Sequence, residues 1–154
     1  MRTRKYRRKH EDLHDRIHEK ISRGDFFTRL KEAQVRRVVD VRLNNTSQIA
    51  GFAKARDLEF FLRAVVGIDY VHIPELTPTQ DILDEFLKAK GPWSEYERKF
   101  RQLMETRRVA ETLAGELRDS DCLLCSENTP EHCHRRLVAE HLQEHWADVE
   151  IIHL

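Results

Sequence analysis

The stretch RDLEFFLRAVVGIDYVHIP, Arg56 to Pro74, changes its period part-way. Leu58, Phe61, Leu62 and Val65 recur at helical spacing, and Gly67 then stops the helix ahead of DYVHIP, which reads as a strand. Just upstream, RRVVDVR (Arg36–Arg42) is a β-branched run of strand length. A strand, a crossover helix and a second strand imply parallel pairing.

The alternation continues in both directions. Before the first strand, DFFTRLKEA reads as a helix with Ser22 as N-cap and Asp25 three residues on, and Leu13, Ile17 and Ile21 mark one face of an earlier helix. After the second, ELTPTQ leads to a short helix, DILDEFLKA, and Gly91 and Pro92 break the chain. Ser94 is a cap for one long helix whose apolar stripe runs through Tyr96, Phe100, Leu103, Met104, Ala110, Ala114 and Leu117. DCLLC is a short apolar strand. Thr129 as N-cap and Pro130 at the first helical position open a helix to about Trp146, and DVEIIHL closes the chain as a strand. The expected fold is α/β: a mostly parallel sheet of four or five strands, with strands near 37–41, 69–73, 121–125 and 148–153 and helices on both faces. A basic, helical N-terminal extension over residues 1–22 precedes a single domain over 23–154.

Composition bounds the function. The 154 residues suit one domain, and 27 basic against 27 acidic side chains give no overall field for nucleic acid. Local basic clusters occur at Arg2, Arg4, Lys5, Arg7, Arg8 and Lys9, and at Arg98, Lys99, Arg101, Arg107 and Arg108. They support one alternative reading, a non-catalytic nucleic-acid-binding accessory module. No apolar run reaches membrane-spanning length and no signal-peptide pattern follows the basic start, so the expectation is a soluble, cytoplasmic protein with no membrane partner. Three cysteines, an odd number, are expected to be reduced thiols. Oligomeric state and cofactor are not set by the sequence.

In parallel sheets ligands sit beyond the carboxyl ends of strands. Those ends carry Asp40 and Arg42, His72 and Glu75, and Cys125 and Glu127. Cys122, Cys125, Cys133 and His134 have the residue types of a zinc site. Alternation along a strand separates Cys122 from Cys125, and helical spacing separates Cys133 from His134, so no metal is expected. The i, i+4 histidines His10, His14 and His18, and His141 with His145, are read as polar faces. A helix start after Thr129, with Arg135 and Arg136 one turn in and Arg42 near the same rim, suits an anion. The same field favours a thiolate at Cys125 or Cys133, with His134 or Glu127 moving the proton. A buried cysteine acting as a small hydrophobe is the alternative.

VVDVRLNNTSQIAGF, GIDYVHIPEL and LLCSENTPEHCHRR, in that order, resemble the family called domain of unknown function 488, over about residues 25–146. Its pattern is a D-V-R strand end, then Y-x-H-x-P-E-L, then L-L-C-x-E ending in C-H-R. Asp40, Arg42, Tyr70, His72, Glu75, Cys125, Glu127, Cys133, His134 and Arg135 occupy those positions, and Cys122 does not. The resemblance implies a compact α/β domain with a polar pocket of unassigned chemistry. This chain departs from the family in having HEKISRG where many members have a strand resembling YTIG, and Gln34 where a helix-ending glycine is usual. The combined expectation is a small anionic, phosphate- or nucleotide-like ligand held by Arg42, Tyr70, His72, Glu75, Cys133 and Arg135. Cys125, Glu127, His134 and Asp40 are the candidate catalytic groups.

Overall fold

The computed structural model describes residues 8–13, 23–45, 54–125, 131–147 and 149–154. Its elements are β1 (Arg8–Leu13), α1 (Arg23–Glu32), β2 (Arg37–Asp40), α2 (Ala55–Phe61), β3 (Asp69–His72), α3 (Gln80–Leu87), α4 (Trp93–Thr106), α5 (Val109–Thr112), β4 (Asp121–Leu124), α6 (His134–His145) and β5 (Val149–His153). A π-helical turn, Leu62–Val66, extends α2, and Gly67 closes it with φ 68°, a left-handed value that a Cβ would disfavour.

The fold is mixed α/β, and β2 pairs in parallel with both β3 and β4. Strand pairing among the described residues gives the order β3-β2-β4-β1-β5. Register follows from the apolar alternation. Asp40 stands opposite His72 on one side and Leu124 on the other, so the carboxyl ends of β2, β3 and β4 are level.

Alternate residues feed two apolar clusters. Val39, Val41, Leu123 and Cys125 join Tyr96, Phe100 and Met104 of α4 and Leu137, Val138 and Leu142 of α6. Val38, Tyr70, Cys122 and Leu124 join Phe26 and Leu30 of α1 and Leu58 and Leu62 of the α2 segment. Each wholly buried leucine stabilises the fold by about 1.5–3 kcal/mol. At the amino end of the sheet Arg37 of β2 donates Nε and Nη2 to Asp121 of β4, at 2.9 and 2.5 Å, and also bonds the Glu116 carbonyl.

Four expectations change. Arg8–Leu13, placed in a helical extension, is a strand parallel to β4 and β5, while residues 14–22 with the Ser22 cap lie outside the described residues. The long helix begins at Trp93 rather than after Ser94, and it ends at Thr106: Arg107 caps it, and Arg108 turns left-handed at φ 52° before α5. The last helix begins at His134, not Pro130, with Cys133 as an extended N-cap at φ −127°, ψ 130°. Thr129 and Pro130 lie outside the described residues. No helix among the described residues is long and apolar enough to cross a membrane.

Candidate functional site

Asp40 ends β2 and is wholly buried. Its carboxylate accepts four hydrogen bonds: from the Arg42 amide (3.1 Å), Arg42 Nε (2.8 Å), Arg42 Nη2 (2.8 Å) and the Tyr70 hydroxyl (2.6 Å). Residues i and i+2 of an extended chain share a face, which lets Arg42 turn its fork back on its own strand. The Arg42 guanidinium is bonded to Asp40 through Nε and Nη2, and the Asp40 carboxylate braces both arginine and tyrosine. Burial, with the Asp40 charge beside it, pushes the Tyr70 phenol far above its ordinary value, so Tyr70 stays a donor. His72, at the end of β3, donates Nε2–H to the Arg42 carbonyl at 3.0 Å. Glu75 is exposed in the Pro74–Leu76 turn, where Arg107 Nη1 bonds its backbone carbonyl and that of Thr77.

The thiol side is built from β4 and α6. Cys125 follows β4 and is 2% exposed. His134 is the first residue of α6, and its Nε2 lies 2.7 Å from the Val41 carbonyl. A carbonyl only accepts, so Nε2 carries a proton, and an uncharged ring then presents a lone pair at Nδ1. Nδ1 lies 3.6 Å from Cys125 Sγ, the relation of a thiol to the base that would deprotonate it. Because Cys133 is an extended cap and not a helical neighbour of His134, the two side chains converge. The ligand atoms of Cys125, Cys133 and His134 all lie within 4.8 Å of one another, contrary to the separation inferred from helical spacing. Burial and the neighbouring Cys125 push the Cys133 thiol up, so Cys133 is held protonated. Arg135, in the first turn of α6, is wholly buried. Cys122 lies in the other cluster, away from Cys125. Glu127 and the segments 46–53 and 126–130 lie outside the described residues.

The structure thus groups Asp40, Arg42, Tyr70 and His72 around the end of β2, and Cys125, Cys133 and His134 around the start of α6. The Val41 carbonyl, between Asp40 and Arg42 in the chain, ties the second group to the first. As a backbone atom it leaves no trace in residue type. The basic residues of α4 are mostly answered by acids: Arg98 by Glu95, Lys99 by Glu85, and Arg101 by Glu97, Glu140 and Glu144, while Arg108 meets Glu111. They form a mixed-charge surface rather than a cationic stripe.

The family described as Domain of unknown function DUF488 matches over residues 22–142. No curated protein and no solved structure matches the chain.

Proposed function

The chain belongs to the DUF488 family, and from the site geometry we propose a thiol-dependent enzyme acting on a small anionic, phosphate- or nucleotide-like substrate. The carrying observation is the 3.6 Å approach of Cys125 Sγ to His134 Nδ1, with the opposite ring nitrogen fixed on the Val41 carbonyl. In this reading the Cys125 proton passes to His134 and the sulfur attacks an electrophilic centre of the substrate. The proton then goes from His134 to the departing group. The positive end of α6 and Arg135 favour both the thiolate and an anionic substrate. Asp40, Arg42, Tyr70 and His72 hold the floor that positions Val41, and Glu127 is a further proton carrier. The alternating clusters support a sheet of five parallel strands with helices on both faces as the frame. Cys122, Cys125 and Cys133 form no disulfide, which suits a reducing cytoplasm.

The test is alkylation of single-cysteine variants across pH, by mass spectrometry. Cys125 should react faster than Cys122 at neutral pH, and His134→Gln should abolish the difference. Phosphate-bearing compounds should raise the melting midpoint and protect Cys125, with both effects lost in Arg135→Lys. Equal reactivity of Cys125 and Cys122 at every pH overturns the nucleophile, and a midpoint unmoved by any phosphate compound overturns the ligand class.

A second reading has its own support. Two thiols and a histidine nitrogen within 4.8 Å form a three-ligand set, and a ring whose far N–H bonds a backbone carbonyl is a common arrangement for a metal-bound histidine. Such a site would take zinc with a fourth position for water or substrate. Elemental analysis separates the two: stoichiometric zinc, lost in Cys133→Ser, would make Cys125 a ligand and end its nucleophilic role.

A further inference from the structure

Apart from that site, α4 and α6 run side by side in the same sense. Phe100 meets His134, Arg101 meets Glu140 and Glu144, and Glu105 reaches His141 and His145. Their last turns therefore come together. Glu105 Oε1 lies 3.6 Å from His141 Nδ1 and 3.5 Å from His145 Nε2. These separations are long for hydrogen bonds. Ligand atoms about 2.0–2.1 Å from one zinc ion, at tetrahedral angles, stand about 3.4 Å apart, close to what is found.

The ring geometry agrees. His145 Nδ1 lies 2.8 Å from the His141 carbonyl, which only accepts, so Nδ1 carries a proton and Nε2 is the nitrogen turned toward Glu105. As with His134, the ring is oriented by a backbone acceptor on its far nitrogen. The three ligand atoms lie within 4.8 Å of one another. The two helix C-terminal turns add their negative ends, a field that draws a cation. Arg101, the nearby cation, is engaged by Glu97, Glu140 and Glu144.

We propose that Glu105, His141 and His145 bind one borderline divalent transition-metal ion, such as Zn2+, clasping the last turns of α4 and α6. His141 is buried while Glu105 and His145 are exposed, so the ion would sit at the surface with its remaining position open to water or to an exchangeable ligand. This site is independent of the thiol site and stands or falls separately from it.

The test uses the full chain stripped of metal with a chelator. Zn2+ is titrated by calorimetry and Co2+ by visible spectroscopy, against His145→Ala and Glu105→Gln. Both substitutions are at exposed positions, and their melting midpoints without metal should match the parent within error. The expected result is one equivalent, counted apart from any ion that the cysteines hold, whose Co2+ ligand-field bands are free of thiolate charge transfer. Zn2+ should raise the melting midpoint, and affinity should fall at least about a hundredfold in His145→Ala, beyond the usual loss from removing only a supporting contact. Binding of equal affinity in both variants overturns the proposal. So does a single binding event that carries thiolate charge transfer, since that ion would be held by the cysteines, and so does no binding at all.

Discussion

The sheet carries an aspartate–arginine pair at each end, with the aspartate buried in both, and the two are built differently. At the amino end Arg37 and Asp121 come from adjacent strands, and Arg37 keeps 13% of its side chain exposed and a second partner in the Glu116 carbonyl. At the carboxyl end Asp40, the last residue of β2, and Arg42, two residues further on, come from one continuous segment, are 0% and 7% exposed, and share their carboxylate with Tyr70. The first pair joins two strands and can fall back on water. The second joins nothing across the sheet by itself. It orders one chain end so that the Val41 carbonyl reaches His134. One pair is a clamp on the fold, and the other is scaffolding for the site.

The largest effect should come from Asp40→Asn. It leaves the Arg42 guanidinium buried beside a neutral amide, and loss of one member of a buried ion pair costs about 3–5 kcal/mol. Urea denaturation followed by circular dichroism should show it. Asp121→Asn should cost less, about 1–3 kcal/mol, because Arg37 can turn to solvent and keep its carbonyl partner. Equal losses in the two variants would break the comparison.

Tyr70→Phe sharpens it further, at about 1.5 kcal/mol for one hydrogen bond to a charged acceptor. The Tyr70 pKa is raised in the folded protein, so its contribution is complete below the unfolded phenol value of about 10 and is lost as pH rises beyond it. Stability of the parent should therefore fall more steeply than that of Tyr70→Phe in alkaline urea titrations. A matching slope would mean the phenol is not held by Asp40. The smallest effect lies away from both pairs. Gln34 ends α1 at φ 57°, a left-handed value that costs a residue with a Cβ, and Gln34→Gly should raise stability by about 0.5–1 kcal/mol in the same assay.

Much of the frame was legible because β2, β3 and β4 are short apolar runs bounded by turn residues, and their period forces one register. Arg8–Leu13 was not. RKHEDL is polar, with no β-branched residue, and its strand conformation comes from pairing with β4 and β5 rather than from local preference. The break at Arg107 and Arg108 was hidden because Val109, Leu113 and Leu117 still enter the same cluster as Phe100 and Met104, which preserves an apolar rhythm across the interruption. What holds the break is tertiary: Arg107 reaches the Glu75 and Thr77 carbonyls. At the site, strand-end logic gathered Asp40, His72 and Cys125. Pro130 was a plausible helix start by its own chemistry, yet α6 begins four residues later, and that delay is what turns Cys133 toward Cys125.

The segment Asp40–Val41–Arg42 also limits how sequences of this kind can vary in length. Its outer residues supply the carboxylate and the guanidinium, and its middle residue supplies the carbonyl that orients His134. Substitutions on its surface neighbours leave that order intact, but inserting or deleting one residue here reverses which side each group occupies. Length changes compatible with the site must therefore fall outside this tripeptide.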